Sequence, residues 1–242
     1  MRWLYISPHL DDAVLSCGGL IREQTFSKTP VEIWTVCAGD PPEGEFSPIA
    51  LQLQKEWGTG AETPARRRAE DIKACQGLGA RHRHLPFLDC IYRQGRDGSW
   101  LYPDDGSIQG DLSPQDDPTI RTLETFLSAS LKADDILVCP LTIGKHVDHQ
   151  MVRKTLERLN RPLLYFADIP YLFNHPTQLS DLTFSLRSEL YPIPLKALES
   201  WQDAIQSYAS QISSLFPGLA EMRESISGYY QKELGIRLWK SI

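Results

Sequence analysis

"WLYISPHLDDAVLSCGG", residues 3–19, contains the change of pattern on which the fold assignment depends. Its apolar beginning predicts a short buried strand, and the helical spacing of apolar residues over 13–26 predicts a helix directly after it. The turn between them holds one imidazole and two carboxylates, those of His9, Asp11 and Asp12. One aspartate is enough to cap a helix, so this turn carries more ionisable groups than local structure requires.

The rest of the chain alternates between strand and helix patterns. The predicted strands cover residues 3–7, 31–38, 81–89, 135–141 and, as the last core strand, 161–172. The predicted helices cover residues 13–26, 63–79, 119–132, 149–160, 195–216 and 221–239. Because parallel strands need helical crossovers, this order predicts an α/β fold with a Rossmann-like, mainly parallel sheet between two helical layers.

The domain organisation is predicted to be simple. We find no internal repeat, low-complexity tract or linker, so residues 1–242 are expected to form one domain. Two stretches near 40–64 and 92–118 are rich in turn-forming residues and are expected to be loop insertions. The length of the second stretch, unusual inside a compact domain, indicates a functional loop or an inserted hairpin.

Composition and charge exclude several classes of protein. A formal charge of -6 argues against a general nucleic-acid binder, and the basic cluster Arg66–Arg68 is followed at once by Glu70 and Asp71. The five cysteines show no C-x-x-C spacing, which indicates neither a disulfide framework nor a cysteine zinc site. No stretch resembles a signal peptide or a membrane span. We therefore expect a cytoplasmic protein.

A second polar cluster, "KHVDHQMV" at residues 145–152, follows the predicted strand 135–141. Taken singly, each cluster has an ordinary explanation, in which an aspartate such as Asp148 caps the next helix. Taken together, they place imidazoles and carboxylates in two strand-to-helix turns at one edge of the sheet, where ligands bind in such folds. These groups are the usual nitrogen and oxygen ligands of zinc. We therefore predict a metal site at the carboxyl ends of the strands.

Two motifs identify a family resemblance. "PHLDDAVLSCGG" (8–19) together with "HVDH" (146–149) resembles the PIG-L/LmbE-like family of zinc-dependent N-acetylglucosamine de-N-acetylases. That family's motifs read Pro-His-Pro-Asp-Asp-Glu with Gly-Gly downstream, and His-x-Asp-His. Weaker agreement extends through "RRAEDIKACQGLG" and "WQDAIQSYASQ", so the resemblance covers most of the chain. Leu10 and Ala13 depart from the motif, where the family has proline and glutamate.

The resemblance implies a set of metal ligands, namely His9, Asp12 and His149. Two histidines and one aspartate leave a net positive charge at a divalent ion, which acidifies bound water toward a pKa of roughly 7. Zn²⁺ is the implied cofactor, although such a site also accepts other divalent ions such as Fe²⁺.

The resemblance also implies three catalytic residues. Asp11 would be the general base, and His146 would stabilise the oxyanion that forms on the substrate. Asp148 would hold His146 in place and favour its cationic form, because a nearby carboxylate raises the pKa of an imidazole.

Two substrate contacts are implied as well, Arg67 and Asp89. For Arg67 an ordinary alternative is a solvated helix charge that pairs with Glu70 or Asp71. Trp57 lies in a loop region where its ring would either stack on a sugar or anchor the loop locally.

The expected function is a zinc-dependent hydrolase that removes acetyl from an N-acetylglucosamine-type amino sugar or its conjugate. The predicted binding partner is this small molecule, and neither nucleic acid nor a membrane is an expected partner. The sequence is compatible with a homo-oligomer. The alternative is a catalytically lapsed family member that binds sugar or metal, which the loss of glutamate at Ala13 favours. A nucleotide-binding protein is disfavoured because no G-x-G-x-x-G or Walker pattern occurs.

Overall fold

A mixed β-sheet forms the centre of the molecule. The computed structural model describes residues 1–58 and 60–241, and Thr59, in the predicted 40–64 insertion, and the terminal Ile242 lie outside the described residues. The strands are β1 (Arg2–Ser7), β2 (Val31–Thr35), β3 (Arg81–His84), β4 (Asp135–Pro140), β5 (Leu163–Phe166), β6 (Leu186–Pro192) and β7 (Gly235–Ser241). Within the described ranges they form a seven-stranded sheet in the order β3-β2-β1-β4-β5-β7-β6. The first five strands in this order run parallel, whereas β7 is antiparallel to both of its neighbours.

Helices cover both faces of the sheet. They are α1 (Asp12–Phe26), α2 (Pro48–Glu56), α3 (Thr63–Leu78), α4 (Asp105–Ile108), α5 (Asp117–Ser130), α6 (Val147–Arg158), α7 (Tyr171–Asn174), α8 (Pro176–Thr183), α9 (Leu195–Gln206), α10 (Ile212–Leu215) and α11 (Leu219–Glu233). Side chains alternate along β1, so Tyr5 packs with α1, α3 and α9 while Leu4 and Ile6 pack with α5 and α6. The predicted α/β class, with helices on both faces of a mainly parallel sheet, is confirmed.

The carboxyl-terminal third differs from the prediction. Strand 161–172 is not the last, because β6 and β7 follow it. Helix α11 ends at Glu233 because Leu234 adopts a left-handed conformation (φ 53°). Gly235 then begins β7. The backbone of β7 lies so close to β6 here that a Cβ at Gly235 would be 2.4 Å from the Tyr191 carbonyl oxygen. Helix α9 likewise ends at Gln206, well before residue 216.

The predicted loop insertions contain short helices. Helix α2 and the 3₁₀ turn Gly60–Glu62 lie within 40–64. Residues 92–118 contain α4, the 3₁₀ turn Pro114–Asp116 and the start of α5. Both stretches pack above the carboxyl ends of the strands and supply side chains to the cleft described below.

A glycine pair fixes the position of the first helix. Trp201 of α9 lies against Gly18 and Gly19 of α1, and a Cβ at Gly18 would lie only 2.3 Å from its Cδ1. The Trp201 indole N–H donates to the Val14 carbonyl oxygen (2.8 Å). Trp201 thus packs against one face of α1, while the amino end of this helix lies at the candidate site described below.

None of the described helices, in residues 1–58 and 60–241, has the length and hydrophobicity needed to cross a membrane. All five cysteines are buried free thiols.

Candidate metal centre and active-site cleft

The two predicted polar clusters meet at one edge of the sheet. Strands β1 and β4 are parallel neighbours, so the turns that follow them lie side by side. The ring centroids of His9 and His149 are 5.5 Å apart, and that of His146 lies 4.7 Å from His9. Residues far apart in sequence therefore share one buried site, as predicted from the pattern.

Asp12 lies between two of the imidazoles. One of its carboxylate oxygens is 3.2 Å from His9 Nδ1, and the other is 3.3 Å from His149 Nε2. His149 Nε2 is buried and, among residues 1–58 and 60–241, has no hydrogen-bond partner. Its Nδ1 lies 2.6 Å from Asp168, and donation there leaves the Nε2 lone pair facing Asp12. An unpaired nitrogen beside a carboxylate and a second imidazole is a donor set that fits a divalent cation.

The charges of the site support the same fit. Burial opposes protonation of His149, yet the Asp12 and Asp168 carboxylates raise its pKa to about 9. The pKa of His9 is also raised, against burial, by Asp12 and Asp148. A site that attracts protons this strongly has the negative potential that a cation needs, and metal binding there would release protons.

His146 differs from the other two histidines. Its Nδ1 accepts a hydrogen bond from the Asp148 backbone N–H (3.2 Å), so the proton of a neutral ring is on Nε2. Burial and the charges of His9 and His149 lower its pKa well below the usual value. Although the ligand atoms of all three histidines lie within 4.8 Å of one another, a protonated Nε2 cannot bind a metal. The ring is instead a neutral hydrogen-bond donor.

The Asp148 carboxylate does act to raise the pKa of His146, as predicted, but burial and the charges of His9 and His149 outweigh its effect. This carboxylate contacts His9 Nε2 (2.9 Å), accepts from the Cys90 N–H (3.0 Å) and forms an ion pair with the Arg93 guanidinium (2.6 Å). The hydrogen bond to His146 comes from the Asp148 backbone N–H.

Asp11 is a buried carboxyl at the amino end of α1, 6% exposed, and makes no capping hydrogen bond. Burial raises its pKa to about 6, although the positive charge of Arg67 acts in the opposite direction. The nearest Arg67 nitrogen is 3.4 Å from Asp11. A carboxyl with this pKa can exchange protons near neutral pH.

Arg67 and Asp89 both face the cleft. The Arg67 guanidinium lies over the Trp57 ring (4.9 Å) and 3.9 Å from Asp89. The alternative of a solvated Arg67 pairing with Glu70 or Asp71 is wrong, because Glu70 binds Ser210 and Asp71 binds His84 and Tyr208.

These residues line a cleft of about 330 Å³. Its walls combine apolar and polar side chains, including Leu53, Trp57, Ile91, Ile108, Gln109, Tyr171, Asn174, His175, Gln211 and Leu215. A wider depression of about 980 Å³ at the amino ends of the strands has no histidine or cysteine in its lining. The cleft with the metal-ligand set is therefore the candidate active site.

Comparison with known proteins agrees with this geometry. Residues 4–159 match the GlcNAc-PI de-N-acetylase (PIG-L) family. The chain belongs to this family. A 2'-N-acetylparomamine deacetylase of Niallia circulans is 31% identical over 93% of this chain and 86% of its own length.

Solved structures of deacetylases share the whole fold of this de-N-acetylase. A zinc-inhibited form of teicoplanin deacetylase is 27% identical, with a TM-score of 0.83 over 100% of this chain and 98% of that one. The pseudoaglycone deacetylase of another antimicrobial reagent is 30% identical, with a TM-score of 0.75 over 100% and 97%. The predicted family and the hydrolytic N-deacetylase class are confirmed.

The sequence prediction missed one residue behind the predicted metal ligands of this de-N-acetylase. Asp168 follows β5, is 1% exposed, and accepts from His149 Nδ1 and from the Ile143 N–H (3.0 Å). Asp168 belongs to neither of the two sequence motifs. Its position just after the carboxyl end of a third parallel strand, beside the turns after β1 and β4, is the feature that would have identified it.

We expect Asp168→Asn to weaken divalent-metal binding about 10–100-fold, because carboxylates behind a ligating histidine fix its tautomer and orientation. The zinc dissociation constant, measured by competition with a chromophoric chelator, checks this. Asp135→Asn is the matched control, since Asp135 is also a buried aspartate but binds Arg2 at the opposite end of the sheet. Equal affinities in the wild type and Asp168→Asn would contradict the prediction.

Proposed function

We propose that this de-N-acetylase uses a divalent metal ion, Zn²⁺ in the first place, to remove the acetyl group from an N-acetylglucosamine-type amino sugar or its conjugate. The observation that carries the proposal is the unpaired, buried His149 Nε2 beside Asp12 and His9 at the base of an open cleft. The deacetylase relatives support the same reaction class.

His9, Asp12 and His149 would hold the ion. When bound, it would polarise the amide carbonyl and activate a water molecule. His9 and His149 are each backed by a carboxylate, Asp148 and Asp168, which leaves the nitrogen that faces Asp12 free to ligate.

Two residues beside this ligand set would move or hold protons. Asp11 takes the proton of the attacking water as general base and delivers it to the departing amine, for which its pKa of about 6 is suited. His146 donates its Nε2–H to the carbonyl oxygen as negative charge develops there. Because His146 is neutral before the reaction, it donates a hydrogen bond without competing with the cation.

The cleft suits a sugar better than a flat or wholly apolar substrate. Apolar walls can contact the C–H faces of a ring, and the polar residues at its rim can bind hydroxyls. Arg67 and Asp89 are the proposed hydroxyl contacts. The relatives are named for acetylparomamine and teicoplanin, so the acetyl-bearing ring rather than the attached group is the expected common feature.

Several further predictions accompany this proposal. Residues 1–242 would form one domain, the enzyme would be cytoplasmic, and Fe²⁺ would be accepted in place of Zn²⁺. The lapsed-enzyme alternative loses its main support, because Asp11 and His146 both face the cleft and Ala13 is buried in the core rather than at the site.

Acetate release tests the proposed function. We expect the protein to release acetate from at least one of 2'-N-acetylparomamine, simple N-acetylglucosaminides and the N-acetylated pseudoaglycone of A40926. Treatment with a chelator should abolish release, and stoichiometric Zn²⁺ should restore it. Tight zinc binding without cleavage across this panel would instead support the lapsed enzyme, and metal-independent cleavage would refute the proposal.

A further inference from the structure

The insertion at residues 92–118 carries a buried cation that the proposed reaction does not use. Arg93 follows the 3₁₀ turn Cys90–Tyr92 and is only 5% exposed. A buried guanidinium needs carboxylate partners, because an uncompensated charge in the interior is strongly unfavourable. Arg93 has two carboxylate partners, Asp116 within the insertion and Asp148 beside the proposed metal centre.

Within the insertion, Arg93 contacts one carboxylate and one aromatic ring. Its Nε lies 3.0 Å from Asp116, and its guanidinium lies 5.3 Å from the centre of the Tyr102 ring. The Tyr102 hydroxyl donates to the other oxygen of Asp116 (2.6 Å). Asp116 and Tyr102 are 1% and 2% exposed, so this is an ordered interior network rather than a surface ion pair.

Toward the metal centre, Arg93 contacts Asp148. Its Nη1 lies 2.6 Å from one oxygen of that fully buried carboxylate. The other oxygen lies 2.9 Å from His9 Nε2, while His9 Nδ1 faces Asp12 at 3.2 Å. A continuous series of contacts thus joins the insertion to a proposed metal ligand.

The two carboxylates behind the metal ligands are supported differently. Asp168, behind His149, receives a backbone N–H from Ile143, and among the described residues its only ion-pair partner is His149. Asp148, behind His9, also receives a backbone N–H, that of Cys90, and in addition pairs with a guanidinium that contacts Asp116. The carboxylate behind His9 therefore has an additional ionic contact from a segment distant from both motifs.

We propose that Arg93 is a positioning residue that acts through Asp148 on the metal ligand His9, so that metal affinity depends on the folded 92–118 insertion. This inference rests on the proposed metal centre. The planar guanidinium contacts Asp148 and Asp116 at once with separate nitrogens, which a single ammonium group cannot reproduce. Residues that support a metal ligand from behind commonly account for a 10–100-fold change in affinity, roughly the effect expected here.

The test is the zinc dissociation constant of Arg93→Lys, measured by chelator competition. We expect binding about 10–100-fold weaker than in the wild type. Arg2→Lys is the matched control, because Arg2 is also forked between two carboxylates, Asp135 and Glu32, and lies over an aromatic ring, that of Trp34. It lies at the opposite end of β1, so this variant should bind zinc normally.

Thermal unfolding of the metal-free proteins separates positioning from a purely structural role. A structural role would lower the melting temperature of Arg93→Lys and leave the zinc affinity of its folded form unchanged, which would overturn the inference. If Arg93→Lys does not fold, Tyr102→Phe becomes the decisive variant. It keeps the cation and removes the hydroxyl that holds Asp116, and it should weaken zinc binding by a smaller factor in the same direction.

The outcomes also distinguish this inference from the proposed function. A wild-type protein that binds no divalent metal would refute the proposed function itself. A wild-type protein that binds zinc, with unchanged affinity in the folded Arg93 or Tyr102 variant, would refute only the role of Arg93.

Discussion

Asp11→Asn is expected to retain its metal and to lose about 10²–10⁴-fold in kcat, the usual effect of removing a positioned acid–base group. The amide side chain is almost the same size as the carboxyl but cannot accept the proton of the attacking water. Asp12 gives no substitute, because it is directed at His9 and His149. Asp89 contacts a different nitrogen of Arg67 from the one nearest Asp11 and lies 3.8 Å from His9 Nε2. Acetate release under saturating substrate gives kcat directly.

Metal content and pH dependence are the controls for Asp11→Asn. Zinc stoichiometry and thermal unfolding should match the wild type, since Asp11 is not in the proposed ligand set. A general base must be deprotonated, so wild-type kcat/KM should fall as the pH decreases through the pKa of Asp11. This pKa is about 6 without metal, and a bound cation lowers it, so the decline is expected at or below about pH 6. Near-normal turnover in the variant would exclude Asp11 as the base.

His146→Ala is expected to lower kcat by about 10²–10³-fold, the usual effect of losing one donor to a developing oxyanion. KM should change little, because the hydrogen bond strengthens mainly in the transition state. His82→Ala is the matched control, since His82 is exposed on β3 and distant from the cleft.

The metal affinity of His146→Ala distinguishes a hydrogen-bond donor role of His146 from a metal-ligand role. If this residue were a ligand, as the proximity of the three imidazoles allows, the variant would lose metal together with activity. Retained zinc with reduced kcat is the expected result. Loss of zinc would refute the assignment of the Nε2 proton.

The sequence predicted the edge of the sheet at which the site forms. Alternating strands and helices imply a parallel sheet. In such a sheet the turn that follows β1, with His9, and the turn that follows β4, ahead of His149, lie at the same edge. Four of the parallel strands (β1, β2, β4 and β5) were predicted because their buried side chains form apolar runs, whereas the side chains of β3 are mostly exposed. The presence of two carboxylates after the first strand, one more than a helix cap needs, likewise predicted a functional site from the sequence alone.

The parts that were not predicted lack such local signals. In β6 most side chains are exposed, so no apolar alternation marks it as a strand. β7 follows α11 without a loop, and only the left-handed Leu234 separates them. Arg93 and Asp116 lie in a turn-rich segment where spacing says nothing about burial, and their pairing depends on tertiary packing alone.

The packing of Trp201 against the glycine pair of α1 has a consequence for biosynthesis. A nascent chain that has emerged only as far as residue 159 already contains every proposed metal ligand, yet the back of its first helix is still uncovered. β5, which precedes Asp168, and α9, which closes that surface, leave the ribosome later. Loading of the ion is therefore expected to follow the emergence of these two elements.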